Sequence, residues 1–390
     1  MKIIYHHRTQ GKGVEAVHIM GIINGLRALG HEVTIVGPPR TDPERNVHSS
    51  SSASIKIVPW KFVSKCLPEI FFEIIEIFYN VYSVGKLYRM MSKGRFDVIY
   101  ERYALFQFGG ILAARMNNCP MILEINDAAS VERVRPLVLK KLARALEKFI
   151  FDKADGLVAI SGYFKQYIMS LGIDEQKITV IPNAVDPDIF NSTIYDKQII
   201  RKKFGLECCF VIGFVGLFVP WHGITFLVEV YARVARKFPF IHLMLVGDGP
   251  ERLLLEEQIR NAGISDRISI TGYIPHDQVA AYMSCFDAAV MPNSNCYGSP
   301  MKIFEYMAMS IAIIAPSYTP ITEILKNNHS ALLFTPNNGQ ELVDALERLI
   351  NDKNLVLRLG ETARREIEEK HTWVINARRV ENKICQALAS

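Results

Sequence analysis

Short apolar runs alternate with helical periodicity in two successive rounds, and this alternation constrains the chain more than any other feature. The first round reads as strands over Lys2–Tyr5, Glu32–Val36, Asp97–Tyr100, Met121–Ile125, Gly156–Ile160 and Ile178–Ile181. A loop at Gly11-Lys12-Gly13 leads from the first strand into a helix over Val14–Leu29, which Gly30-His31 ends. The second round has strands over Phe210–Val215, Ile241–Val246, Ile268–Ile270, Ala288–Met291, Ala312–Ala315 and Ala331–Phe334. A loop over Gly216–Gly223 and a helix over Ile224–Phe238 follow its first strand. Strands joined through helices make parallel sheets with right-handed crossovers, so the pattern predicts an α/β chain. Two rounds predict two Rossmann-like, doubly wound parallel-sheet domains facing a cleft, and 390 residues suit two cores better than one.

The run Pro182-Asn183-Ala184-Val185-Asp186-Pro187 discourages helix and precedes the join between Asn191 and Lys203. The expected division is therefore 1–190 and 191–371. A last amphipathic helix, 372–390, carries Trp373, Val374, Ala377, Val380 and Ile384 near helical spacing.

With 49% hydrophobic and 22% charged residues the chain is globular. Its net charge of +5 resides in the first half, since residues 1–190 carry 24 basic and 19 acidic residues. That bias is too mild for a nucleic-acid partner and suits a diphosphate-bearing substrate or anionic lipid headgroups. Seven cysteines without a Cys-x-x-Cys pair give neither a disulfide framework nor a zinc site, and they fit a reducing compartment. The N-terminal run reads as a first core strand, not a signal peptide, and no uncharged apolar stretch is long enough to span a bilayer. The expectation is a cytoplasmic protein, soluble or peripheral on a membrane.

The most informative motif is Ser299-Pro300-Met301-Lys302-Ile303-Phe304-Glu305-Tyr306-Met307-Ala308. It opens a helix after a strand and a small-residue turn, where backbone N–H groups can meet an anion. Glu305, about one turn in, can accept hydrogen bonds from ribose or sugar hydroxyls. Here the chain resembles the family 4 glycosyltransferases, in the branch with this Ser-Pro-x-Lys-x-Phe-Glu-Tyr-Met-Ala signature. The family is usually marked by two glutamates separated by seven residues; Glu305 matches the second, and Tyr297 stands at the first. Gly247-Asp248-Gly249-Pro250 and Gly272-Tyr273-Ile274-Pro275 precede this helix in the family's order. In similar proteins the second of these turns lies against the nucleobase, which makes Gly272, Tyr273 and Ile274 binding candidates beside Ser299, Pro300 and Glu305.

The resemblance implies a GT-B fold, a retaining and metal-independent transfer from a nucleotide-diphosphate sugar, no cofactor, and a last helix that crosses back to the N-terminal domain. The acceptor it implies is a glycan or lipid-linked hydroxyl. The chain departs from the family in the loop that begins at Gly216, where Arg and Lys usually neutralise the leaving diphosphate. Leu217 and His222 stand in those places, so His222 and Lys302 become the cationic candidates. Those departures keep open a nucleotide-sugar epimerase or hydrolase on the same plan, or an inert nucleotide- or glycan-binding relative.

In the first domain, Arg8, Gly11, Lys12 and Gly13 follow the first strand where similar proteins have a loop beside the donor phosphates. The glycines permit close backbone approach, and Arg8 or Lys12 adds charge. His18 reads equally as a packed residue or a contact. Glu101–Arg102 reads equally as a site pair or a structural salt bridge. Where the family often has a His touching the transferred sugar, this chain has Glu124-Ile125-Asn126-Asp127. Asn126 can bond a sugar hydroxyl; Asp127 can deprotonate or orient the acceptor, or simply cap the next turn. Two stretches, Trp60–Arg95 and Val131–Ile150, mix bulky apolar with basic residues and suit a membrane surface as well as packing on the sheet.

Overall fold

The computed structural model describes residues 1–44, 68–131 and 136–389. Trp60, Phe62, Leu67, Cys66, Arg133 and Arg135 lie outside the described residues. Among the described residues twelve strands form two parallel sheets of six. The first contains β1 (Lys2–His6), β2 (Glu32–Val36), β3 (Val98–Arg102), β4 (Met121–Ile125), β5 (Gly156–Ala159) and β6 (Ile178–Val180). The second contains β7 (Phe210–Val215), β8 (Ile241–Val246), β9 (Ile268–Ile270), β10 (Ala288–Val290), β11 (Ala312–Pro316) and β12 (Leu332–Phe334). Every strand the periodicity placed is present, as the doubly wound α/β class requires.

The chain divides into two compact units, one of 1–182 with 373–390 and one of 183–372. Strand order in the first is β2-β1-β3-β4-β5-β6, and in the second β9-β8-β7-β10-β11-β12. Order reverses direction between β1 and β3 and between β7 and β10. In open parallel sheets such a switch point leaves a crevice at the carboxyl ends of the strands, where ligands bind.

Both faces of the second sheet are covered. Ile212 and Phe214 of β7 enter one apolar cluster while Val211 and Val215 enter the other. This two-sided burial explains why these strands read as continuous apolar runs rather than alternating ones.

The last helix, Trp373–Ala389, belongs to the first unit and packs along Gly13–Ala28. Gly21 makes this possible, because a β-carbon there would collide with the Trp373 indole. Gly25 serves in the same way, its missing β-carbon falling 2.5 Å from the Trp373 carbonyl oxygen. Asn376 then donates to the Pro182 carbonyl at 2.6 Å, tying the helix to the end of the unit's first segment.

Candidate active site

In the second unit the helix Met301–Ala308 starts at the switch point and is held by its own buried face. The Val215 N–H, at the end of β7, donates to the Tyr306 hydroxyl at 2.8 Å, so the helix is pinned to the strand that feeds the Gly216 loop. Its first turn is set from another direction. Asn183 donates its backbone N–H to Ser299 Oγ at 2.9 Å and its side-chain amide to the Ser299 carbonyl. Ser299 therefore has a positioning task whatever else it touches. Pro300 occupies the N-cap and supplies no side-chain cap, which leaves the first-turn N–H groups free of one.

From this helix Lys302 reaches under the Gly216 loop. Its Nζ is buried, has no hydrogen-bond partner among the described residues, and lies 4.4 Å from the centre of the Phe214 ring. Gly216, at φ +144°, would place a β-carbon 2.8 Å from that nitrogen, so a side chain there is excluded by both backbone and space. Burial pushes the Lys302 pKa down from 10.5 to about 7, against a smaller upward pull from Glu305. The ring face compensates an ammonium only in part. An anion brought to this nitrogen would supply what the protein withholds.

His222 is not the cation its position suggested. Burial and the neighbouring Lys302 push its pKa down to about 4, so the ring is neutral near pH 7. Its Nδ1 lies 2.7 Å from the Leu217 carbonyl oxygen and donates to it. The imidazole thus holds the loop, and its other nitrogen is an acceptor.

Glu305 is buried, and its Oε1 accepts a bond from His276 Nε2 at 2.9 Å. Burial opposes protonation of His276, but the bond to Glu305 and that carboxylate's charge outweigh it and raise the pKa. Sequence reading missed His276: it lies 29 residues away, and no local pattern marks it. Gly272 and Tyr273 end the β9 turn, with Tyr273 77% exposed, and Ile274 packs on the apolar cluster behind.

In the first unit the switch point is lined by buried polar groups. His6 Nδ1 bonds Glu101, and both side chains are fully buried. Arg102 bonds Glu124 instead, at 2.8 Å, so the expected Glu101–Arg102 pair does not form. Successive strand residues point to opposite faces of the sheet, and adjacent side chains on β3 cannot meet. Glu124 also takes bonds from His18 Nε2 and the Tyr100 hydroxyl, each at 2.8 Å. Burial works to raise its pKa, but His18, Arg102 and Tyr100 overcome this and hold the carboxyl at about 2. His18 is buried, with Glu124 as its hydrogen-bond partner.

Arg8 is spoken for as well. It pairs with Glu76 of the helix Glu69–Met91 at 3.3 Å, which reduces the charge it can lend to a phosphate. Gly11 and Gly13 both take positive φ, and around the Gly13 Cα the space is open. Lys12 is exposed between them. Asn126 donates to Glu124 at 3.4 Å, and Asp127 accepts the Ala128 N–H at 2.8 Å. Asp127 thus makes the turn-capping contact that its place in the sequence allows.

Two family models match the chain: Glycosyltransferase Family 4 over residues 13–189 and Glycosyl transferases group 1 over 196–366. The alpha-monoglucosyldiacylglycerol synthase of Acholeplasma laidlawii is 22% identical over 95% of this chain and 91% of its own. The 2-deoxystreptamine glucosyltransferase of Streptomyces kanamyceticus is 29% identical, over 62% of each chain, so the match spans just under two thirds of that enzyme. Among solved structures, Anabaena Alr3699/HepE in complex with UDP-glucose superposes with a TM-score of 0.74 at 17% identity, over 99% of both chains. The chain belongs to the family 4 glycosyltransferases. Its fold is the two-domain GT-B architecture.

Within this glycosyltransferase the family's two substituted positions are now placed. Leu217 is 59% exposed at the loop tip, offering an apolar side chain where charge is usual. Tyr297 stands in the turn before the helix, its N–H 3.3 Å from Asn295 Oδ1. The chain does contain an Asp-x-Asp spacing at Asp186-Pro187-Asp188, but Asp186 Oδ1 accepts the Asp188 N–H at 3.0 Å and closes its own turn.

Proposed function

We propose that this glycosyltransferase moves a sugar, with retention of configuration and without a metal ion, from a nucleotide-diphosphate sugar to a hydroxyl of a glycan or lipid-linked acceptor. The observation that carries the reading is Lys302: a buried amine with no acceptor among the described residues, beneath a glycine loop and at the start of a helix, suits a diphosphate. Glu305 receives the donor's ribose or sugar hydroxyls, and the turn Gly272-Tyr273-Ile274 meets the base. Gly11, Gly13, Gly216, Ser299 and Pro300 let backbone come close to the ligand, with Arg8 contributing what charge Glu76 leaves it. In the transfer the bond from the anomeric carbon to the diphosphate oxygen breaks and one to the acceptor oxygen forms. Asp127 orients the acceptor hydroxyl and receives its proton, while Asn126 bonds a sugar hydroxyl. The reading is supported by relatives named for glucosyl transfer to 2-deoxystreptamine and for a glucosyldiacylglycerol product, and by the UDP-glucose in the Anabaena protein.

Among the described residues no helix is long and apolar enough to cross a membrane. The reading puts the protein in the cytoplasm, peripheral on the membrane face where a lipid-linked acceptor would be met.

Following the product by NMR in the presence of EDTA tests the chemistry. The new linkage should carry the donor's anomeric configuration, and turnover should survive chelation. An inverted product would refute retention; activity lost to EDTA and restored by Mg²⁺ or Mn²⁺ would show that a metal, not Lys302, meets the leaving group.

A further inference from the structure

The helix Lys140–Lys153 buries Ala143, Glu147, Ile150 and Phe151 along one face. Three of these are apolar, and a leucine in the remaining place would complete an ordinary packing stripe. Glu147 stands there instead, only 1% exposed. A carboxylate so placed costs free energy unless donors meet it.

Donors do meet it, from three separate segments. The Tyr103 hydroxyl, just past the end of β3, donates to Glu147 Oε2 at 2.8 Å. The Ala129 N–H donates to the same oxygen at 2.7 Å. The Tyr167 hydroxyl, from the helix Gly162–Ser170, donates to Oε1 and is itself hydrogen-bonded by the Ser130 side chain. Both carboxylate oxygens are used, and two of the ties lead to one turn.

That turn follows β4 and begins with Asn126 and Asp127. Ala128 and Ala129 are buried, whereas Asn126 and Asp127 are only half-buried, so the turn is gripped from inside and leaves both site candidates accessible. Burial raises the Glu147 pKa; the bonds from Tyr167, Ala129 and Tyr103 oppose this, and the nearby charge of Asp127 adds to it. The two carboxylates are thus near enough to feel each other. An apolar residue would serve the packing of the helix as well as Glu147 does. What the carboxylate alone supplies is a fixed place for the turn, and groups that act on a substrate need holding to within about 0.5 Å.

We infer that Glu147 is a positioning residue for the transfer, holding the Asn126–Asp127 turn so that Asp127 meets the acceptor hydroxyl. The inference rests on the role given to Asp127 above. Release of nucleoside diphosphate is measured from UDP- and GDP-sugars, each paired with alkyl glycosides and diacylglycerol as acceptors. The proteins compared are wild type, Glu147→Leu, Glu147→Gln, Asp127→Asn and the double variant Glu147→Leu with Asp127→Asn. Glu147→Leu should lower kcat about ten- to a hundredfold, the order of loss that a misplacement of about 1 Å brings, while the donor KM stays unchanged. Glu147→Gln keeps an oxygen for the Ala129 N–H and should recover most of that loss. The double variant should lose no more than Asp127→Asn alone, because a residue that acts through another adds nothing once the other is gone. Hydrogen exchange over residues 126–131, read without any substrate, should quicken in Glu147→Leu and stay slow in Glu147→Gln. If Glu147→Leu does not fold, Tyr167→Phe takes its place in the cycle, since it removes one bond to Glu147 and the tie to Ser130. A folded Glu147→Leu with wild-type turnover or unchanged exchange, absence of rescue by Gln, or additive losses in the double variant would overturn the inference and leave Asp127 in its role. Asp127→Asn as active as wild type, or no turnover of any pair, would instead refute the reading beneath it, and the inference would fall with that reading.

Discussion

Lys302→Met is expected to stabilise the empty protein and to disable it. The folded-state pKa of about 7 lies below the ordinary 10.5, so between those values the unfolded chain binds a proton that the folded one has given up. Stability should therefore rise with pH from about 7 towards 10.5 and carry a constant penalty below 7. Methionine fills a similar space without the charge, and thermal melts of Lys302→Met should lose that slope and exceed wild type at pH 6. Turnover should fall by about 10²–10³, the usual cost of removing one preorganised group that meets charge developing in the transition state, with donor KM changed less. Donor binding to wild type at pH 8 should take up protons as the diphosphate restores the ammonium, and binding to the variant should not. His222→Ala makes the comparison specific. With its ring neutral above about pH 4, its loss should cost less and by the same factor from pH 6 to 8. Equal small losses for both variants would mean that the diphosphate is met elsewhere, with Lys12 and Arg8 next to examine.

Glu305→Gln should weaken donor binding by about 1–3 kcal/mol, the range of a hydrogen bond to a charged group. Part of the effect will come through His276, whose raised pKa depends on the carboxylate. The two contributions separate with His276→Ala: if Glu305 touches the donor itself, Glu305→Gln remains the more damaging in titration calorimetry. Donor affinity unchanged in a folded Glu305→Gln would remove the residue from the site.

The strands of the described residues were legible because each is a short, mostly apolar run closed by Gly, Pro or a polar cluster, with polar members such as Glu124 and His242 too few to break the pattern. The position of the Lys302–Glu305 helix was legible for a similar reason, as a turn between a strand end and helical periodicity. Partners were not. Glu305 and His276, Ser299 and Asn183, and Arg8 and Glu76 meet only because parallel topology brings distant segments to one sheet edge. Adjacency misled at Glu101–Arg102, since neighbours on a strand face opposite ways. At Glu69–Met91 the sequence left a membrane surface and packing on the sheet both open, and could not show that Glu73 and Asn80 are held inside, accepting the N–H groups at the starts of two other helices. Titration states depend on burial by those same distant segments. The sequence could therefore suggest His222 as a cation, while the fold makes it a neutral bond to the Leu217 carbonyl.

Whether Lys302 serves a sugar transfer is decided by release of nucleoside diphosphate across a panel of nucleotide-sugar donors, each with and without a set of glycan and lipid-linked acceptors. A transferase that meets its leaving group with Lys302 should release nucleoside diphosphate from at least one donor, in step with a glycosylated product, and should need the acceptor to do so. Lys302→Met should abolish most of that release. Release that is independent of acceptor would make the protein a hydrolase, and a donor that binds but is never cleaved under any pairing would make it a binding protein; either result contradicts a transfer driven from this site.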